Sequence, residues 1–264
     1  MQKLVNALNQ DNVLFYIHID KKSSLPQIQG KNIHILKNRV DVHWGGFSQV
    51  EATLLLLEEA LKNGFDYAAF ISGKDYPVKP NEWLNQTLSK GGEFIQMNKM
   101  GTDPFAPLSR YKYYYFTDHY QRRNKKSIKT KIFLQLQKKL RQLKIAKRIP
   151  FQLYTGACWF VLSHDCINYI LQQVYTNSKL MKFFRSGFCP DEGFFQTIIG
   201  NSPFAGKVKP CMTYADWSVD PGPAMFTELH FPVIASMDAI FFARKFDDNS
   251  GKLLSQIDEK LRTL

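Results

Sequence analysis

The sequence predicts an α/β layered fold, a mostly parallel central sheet flanked by helices, in one domain spanning residues 1–264. Three observations carry that expectation. Short β-branched and aromatic runs recur along the chain, each apolar throughout, as a strand buried on both faces requires. Helical periodicity fills the stretches between them. No linker, repeat or low-complexity tract divides the chain, and 264 residues with 44% hydrophobic content support one sizeable core.

In chain order, Val13-Leu14-Phe15-Tyr16-Ile17-His18-Ile19 is a β-prone run that ends at Asp20. Residues 48–61 carry a leucine run with Glu58 and Glu59 on the polar side, which predicts a helix. Tyr67-Ala68-Ala69-Phe70-Ile71-Ser72 reads as a second buried strand, and Gly73-Lys74-Asp75-Tyr76-Pro77 as the turn after it. A helix over 81–88 and a strand over 93–97 continue the alternation. The aromatic-rich stretch 110–120 is expected to cover one edge of a cleft. Trp159-Phe160-Val161-Leu162 predicts another strand, Ser163 caps a helix reaching about residue 173, residues 241–246 form a late strand, and a polar helix closes the chain. Such alternation places ligands at the carboxyl ends of the strands.

Charge is concentrated in one element. Between Gln121 and Pro150 there are twelve Lys/Arg and no Asp or Glu, and the remainder of the chain balances at 23 of each sign, so the net charge of +12 belongs to this stretch. Within it Ile128, Ile132, Leu136, Leu140 and Leu143 recur at helical spacing. The residues therefore predict a basic helical insertion at about 121–150, either laid on the body by that stripe or offering a face to anionic lipid or a polyanionic acceptor.

No stretch approaches the roughly 18 apolar residues of a membrane span, and the N-terminus lacks the regions of a signal peptide. The chain is accordingly expected in the cytoplasm, with peripheral contact at the inner face of the membrane open. Cys158, Cys166, Cys189 and Cys211 have no zinc-type spacing and read as reduced thiols. No metal site is expected: there is no DxD tripeptide, and the six histidines are scattered, His18, His43 and His164 among them. GxxxxGK[ST], GxGxxG and GxSxG are also absent.

The chemistry-bearing residues lie at element boundaries. Cys189-Pro190-Asp191-Glu192 sets two adjacent carboxylates behind a proline and ahead of an apolar run. Asp191 is expected to cap the following helix, which leaves Glu192 to face a cleft as a base; service to the helix dipole is the plainer alternative. Asp20 and Asp75 stand where carboxylates bind ribose or base hydroxyls, or cap the next helix. Arg244 and Lys245 sit between Phe242 and Phe246, where buried cations require an anion: a diphosphate, or a structural salt bridge to an acidic residue.

Taken together, these segments resemble the core-2/I-branching enzyme family, glycosyltransferase family 14, which also includes the peptide O-xylosyltransferases. The resemblance rests on Tyr16-Ile17-His18-Ile19-Asp20-Lys21-Lys22-Ser23, Val42-His43-Trp44-Gly45-Gly46-Phe47-Ser48 and Ile71-Ser72-Gly73-Lys74-Asp75-Tyr76-Pro77-Val78-Lys79. Gly156-Ala157-Cys158-Trp159-Phe160, Pro190-Asp191-Glu192 and Phe242-Ala243-Arg244-Lys245-Phe246 follow in the family's order. It implies a GT-A-like fold and an inverting, metal-independent transfer from a UDP-sugar, of GlcNAc or xylose, to a hydroxyl of a glycan or lipid-linked glycan.

By the same resemblance Glu192 matches the catalytic base, and Arg244 with Lys245 the basic pair that holds the diphosphate in place of a metal. Asp20 and Trp44 match uridine contacts, and Ser72 and Asp75 line the donor pocket. Arg110, Asp216 and Trp217 match acceptor-side positions more loosely. No cofactor beyond the UDP-sugar substrate is implied, and no nucleic acid. Two departures stand out: the first strand and helix of the family appear shortened to residues 1–10, and the loop 221–225 lacks the family's basic residue. A chain with neither anchor nor disulfide framework fits a bacterial member acting on surface polysaccharide. Two rivals are weighed against this: a membrane or nucleic-acid binding module using 121–150, which leaves Glu192 unexplained, and a glycoside hydrolase, for which adjacent Asp191 and Glu192 are poorly placed to flank a sugar.

Overall fold

A computed structural model of the chain describes residues 1–101, 107–122, 124–219 and 222–263. Arg123 of the basic segment and Pro221 of the loop read for a missing cation lie outside the described residues. The strands are β1 Phe15–Ile17, β2 Ile33–Ile35, β3 Tyr67–Phe70, β4 Asp75–Pro77, β5 Glu93–Ile95, β6 Asn98–Lys99, β7 Tyr154–Thr155, β8 Phe160–Ser163, β9 Val208–Lys209, β10 Thr213–Ala215 and β11 Phe242–Arg244. The helices are α1 Gln2–Leu8, α2 Ser48–Leu61, α3 Asn81–Ser89, α4 Ser109–Lys112, α5 Ile128–Gln142, α6 His164–Thr176, α7 Ser178–Arg185, α8 Phe194–Gly200, α9 Phe231–Ala235 and α10 Gly251–Lys260.

The α/β character expected from the sequence is present, but the sheets are mixed, not mostly parallel. Four strands order as β3-β8-β5-β9, in which β8 runs antiparallel to both neighbours and only β5 and β9 are parallel. Beside it, β10 pairs parallel with β11, and β11 antiparallel with β4. β1 and β2 form a parallel pair, β6 and β7 an antiparallel one. Apolar runs reveal burial on both faces but carry no direction, which is why the antiparallel β8 does not stand out from them, and β4 lies where the sequence predicts only a turn.

Strand β8 shows why those runs are apolar throughout. Phe160 and Leu162 face a core built with Phe47, Leu57, Ile167, Phe184 and Phe194, whereas Val161 faces a second core with Tyr76, Phe242, Leu253 and Ile257. Neighbouring β5 alternates likewise, with Ile95 on the first side and Phe94 on the second. Ser163 ends β8 and caps α6, its hydroxyl accepting from the Cys166 amide at 3.3 Å. Its own amide and hydroxyl donate to buried Glu93 at 2.9 and 2.6 Å.

Helix α2 has the bounds the periodicity predicts, yet its cap comes from far away. Asp118 accepts from the Phe47 and Ser48 amides at 2.7 and 3.2 Å and from the Ser48 hydroxyl at 2.6 Å. A Cβ on Gly46 would lie 2.0 Å from Asp118 Oδ1, so only glycine permits this approach.

Helix α5 corrects an expectation. The stripe Ile128, Ile132, Leu136 and Leu143 faces solvent. The helix docks instead through Thr130, Phe133, Gln137 and Leu140: Phe133 stacks on Tyr120, and Gln137 Nε2 donates to the Tyr120 hydroxyl at 3.1 Å.

Candidate active site

The loop carrying the two carboxylates is shaped by its neighbours. Cys189 adopts a left-handed conformation (φ 49°), and Pro190–Glu192 then make a single 3₁₀ turn before α8 begins at Phe194. Tyr111, fully buried, donates its hydroxyl to the Cys189 carbonyl at 2.8 Å. Gly193 must be glycine, because a Cβ there would stand 2.5 Å from that hydroxyl. The Glu192 carbonyl accepts from the Thr155 hydroxyl and the Gly156 amide, both at 3.0 Å, which fixes the backbone beneath the side chain.

Asp191 does not cap the helix. The turn ends two residues before α8, and its carboxylate is drawn inward, with Oδ2 accepting from Gln49 Nε2 at 3.2 Å and Oδ1 shut off from solvent without a partner. Burial, followed by the negative charge of Glu192, pushes its carboxyl up to about 7. Gln49 also accepts from the Gly45 amide at 2.8 Å, and the Cys189 amide donates to the Gly45 carbonyl at 3.0 Å. The Trp44-Gly45 loop is thereby tied to the carboxylate loop.

Glu192 points outward, its side chain 37% exposed, and forms an ion pair with the Arg110 guanidinium of α4. Burial is the largest influence on Arg110 and lowers it, but the Glu192 charge and hydrogen bond, with Cys189 and Tyr111, together hold it above its ordinary value. The looser of the sequence matches thus lies directly against the proposed base, 82 residues away in the chain.

A second constellation forms at the ends of β3, β4 and β11. Asp75, whose side chain is fully buried, accepts from the Ser72 amide at 2.7 Å and the Ser72 hydroxyl at 2.9 Å. Opposite it in the antiparallel register stands Arg244, whose Nε is 3.4 Å from Asp75 Oδ1 and whose guanidinium lies 3.8 Å from the Trp159 ring centre. Burial raises the Asp75 carboxyl and lowers Arg244, so desolvation outweighs their mutual attraction at both ends. The structural salt bridge weighed for Arg244 is therefore real. Lys245, half-buried, follows at the strand end, its positive charge acting on Asp75.

Two cavities are lined by partners of these residues, Gln49 and Ser72 in one and Trp159 in the other, while Glu192, Arg110, Arg244 and Lys245 line neither. One of about 340 Å³ opens at the ends of β1 and β3, lined by Tyr16, His18, Val42, Gln49, Ser72 and Gly73 among others. His18 is neutral there: burial lowers its pKa, and its Nε2 accepts from the Val40 amide at 2.9 Å. The other, about 540 Å³, includes Gln96, Ala157, Trp159, Thr213, Tyr214 and Trp217 in its wall. Trp159 stands between this second cavity and Arg244.

The remaining sequence candidates are more dispersed. Asp20 lies outside the lining of the smaller cavity, turned onto Lys22 at 3.2 Å, which also pairs with Asp41. Trp44 is exposed, edge-on to Phe188, with Arg122 5.6 Å from its ring centre. Asp216 accepts from the Ser218 amide at 2.8 Å, which holds its carboxyl below the usual range, and lies 3.8 Å from His230. Trp217 is exposed at the rim of the larger cavity. Gln49 and Trp159 had been given no role from sequence; only their places within or beside the quoted motifs marked them. Among the described residues, no three His, Cys, Asp or Glu side chains group as a metal-ligand set.

A family model described as Core-2/I-Branching enzyme matches residues 1–241. The match contains Arg110 and Glu192 and stops before Arg244 and Lys245. Among curated proteins, Xylosyltransferase 2 of Canis lupus familiaris is 26% identical over 219 residues, covering 77% of this chain and 23% of its own length. Xylosyltransferase 1 of Mus musculus is 25% identical over 219 residues, 76% of this chain and 21% of its own. Xylosyltransferase oxt of Drosophila melanogaster is 25% identical over 303 residues, 99% of this chain and 32% of its own. The chain thus spans about a third or less of the length of these relatives.

Proposed function

The chain belongs to the core-2/I-branching enzyme family, a glycosyltransferase with a GT-A-like α/β fold, and from that premise we propose that it moves a sugar from a UDP-sugar to a hydroxyl of a glycan acceptor by a single inverting displacement. The observation that carries this reading is the placement of Glu192: a carboxylate on a fixed turn, partly open to solvent, and paired with the acceptor-side candidate Arg110.

In the proposed step the acceptor hydroxyl oxygen attacks the anomeric carbon as the bond from that carbon to the diphosphate breaks. Glu192 takes the hydroxyl proton, and UDP departs with the bonding electron pair. The Arg110 guanidinium orients the carboxylate through their ion pair. Charge growing on the leaving diphosphate is met at the end of β11 by Lys245, with Arg244 behind it. Because Arg244 is buried against Asp75 and Trp159 whereas Lys245 is only half-buried, the direct share is assigned to Lys245. The uridine is assigned to the cavity at the ends of β1 and β3, with Ser72 in its wall, Asp75 hydrogen-bonded to Ser72, and Asp20 and Trp44 on the loops beside it. The larger cavity, with Trp217 at its rim and Asp216 beside it, is assigned to acceptor or transferred sugar.

We also propose that no divalent metal takes part. Asp75, across from Arg244 at the proposed diphosphate end of the sheet, accepts twice from Ser72 and pairs with Arg244, which leaves the cations of β11 to serve the charge. The xylosyltransferase relatives make UDP-xylose the first donor to test and UDP-GlcNAc the second. A bacterial, cytoplasmic enzyme of surface-polysaccharide synthesis is the setting that fits the composition. Calorimetric titration with UDP, in EDTA and then in Mn²⁺, tests the donor site: metal-independent binding that weakens in Lys245→Ala supports the assignment, and binding only with Mn²⁺ contradicts it.

A further inference from the structure

The basic segment is unexplained by the donor and acceptor sites, and its geometry is specific. Helix α5 is clamped to the body along one side, where the Thr130 hydroxyl donates to the Gln121 carbonyl at 3.3 Å, Phe133 stacks on His119 and Tyr120, and Gln137 is buried. That clamp fixes what the other sides present. Ile128, Ile132, Leu136 and Leu143 point into water, with Ile128 76%, Ile132 61% and Leu143 63% exposed. They recur at steps of four, four and seven, so they form one stripe along the helix. Lys129 and Lys139 are interleaved with the stripe, Lys131 and Lys138 border it, and no acidic residue occurs anywhere from Gln121 to Pro150.

We propose that α5 is a membrane-surface anchor that lays this stripe into a bilayer rich in anionic lipid. A solvated helix would carry polar residues where the four aliphatic side chains stand, since exposed isoleucine and leucine in a row gain nothing from water. A nucleic acid would use the lysines but offers no apolar layer for the stripe. An anionic bilayer answers both, taking aliphatic side chains below the headgroups and lysines at their level. Among the described residues no helix is long and apolar enough to cross a membrane, so the contact lies in the plane of the surface.

The anchor is joined to the catalytic wall. Arg141, at the end of α5, lies 4.9 Å from the Tyr115 ring centre, and Tyr115 stacks on Phe188 next to the carboxylate loop. Beyond the helix the Lys147 amide donates to the carbonyl of Lys112 at 2.8 Å, the last residue of α4, which carries Arg110. A membrane holding α5 would therefore sit beside the acceptor side of the cleft, where a lipid-linked acceptor is delivered.

The test is co-sedimentation of the full chain with phosphatidylcholine vesicles and with vesicles containing about 30% phosphatidylglycerol. The double variant Ile132→Gln/Leu136→Gln changes only exposed side chains; thermal midpoint and UDP titration verify that it is folded. The expected result is binding to the anionic vesicles alone, weakened about tenfold or more in the double variant and comparably in Lys129→Gln/Lys139→Gln. Absence of wild-type binding to anionic vesicles overturns the proposal. So does a folded Ile132→Gln/Leu136→Gln variant that binds them as tightly as wild type, because the contact would then be charge alone, as for a polyanion. None of these results bears on transfer, so the anchor and the proposed activity fail separately.

Discussion

Arg110 and Glu192, 82 residues apart, form an ion pair, one residue from a helix of four and the other from a single 3₁₀ turn. The pair puts a cation against the carboxylate proposed to accept the acceptor's proton. Removing it leaves Glu192 without its orienting partner, so Arg110→Gln should lower the rate of transfer by about tenfold to a hundredfold. UDP binding should stay within about twofold of wild type. Calorimetry and initial rates on one preparation separate the two, and a variant that loses UDP affinity instead would move Arg110 to the donor side.

Arg244 and Asp75 should behave as a buried pair whose halves need each other. Asp75→Asn strands the guanidinium beneath Trp159 and should cost about 3–5 kcal/mol of stability, read by denaturant unfolding. Pairing it with Arg244→Met should restore much of that loss. A single variant as stable as wild type would show that the charge is relieved elsewhere.

Lys245→Ala should cost less stability than Asp75→Asn, because Lys245 is only half-buried, and should weaken UDP by about tenfold to a hundredfold, the worth of one charge-assisted contact. Thermal denaturation and UDP titration together check both halves.

Asp191 makes stability depend on pH in the direction opposite to most carboxylates. Its carboxyl is raised to about 7 by burial and by Glu192. The folded protein therefore holds a proton that the unfolded chain releases near the ordinary carboxylate value. That contribution is fully present below about pH 4 and is lost as pH rises through about 7. The surrounding groups are Gln49, Glu192, Arg110, Tyr111, Cys158 and Cys189, of which Glu192 opposes ionisation and Arg110 favours it. Asp191→Asn should flatten the fall in thermal midpoint between about pH 4 and 7; an unchanged slope would place the proton elsewhere.

Much of this was legible in the sequence where it depended on near neighbours. The leucine period gave α2 its bounds, Ser163 announced the start of α6, and the apolar runs marked β1, β3 and β8. Relations across the chain were not legible. Asp118 caps α2 from 70 residues away, Arg110 meets Glu192 over 82, and nothing local in either partner records the distance. Strand direction was lost for the same reason, since β8 is antiparallel only by virtue of its distant partners β3 and β5. The stripe on α5 shows a different limit: a helical period reveals that aliphatic residues share a side, not which side the body takes, and Phe133 with Gln137 took the other. Asp191 was read as a cap because proline and acid open helices; the left-handed Cys189 turns it inward instead.

The central claim is that Glu192 accepts the acceptor proton in a metal-free transfer from a UDP-sugar. Its most direct test is UDP release from UDP-xylose and UDP-GlcNAc in EDTA, with a panel of glycan acceptors, by wild type and Glu192→Gln. The predicted result is release with at least one donor and acceptor for the wild type, slowed by about a hundredfold or more in the variant while UDP still binds. Equal rates in the two proteins, or release that begins only when Mn²⁺ is added, would contradict it.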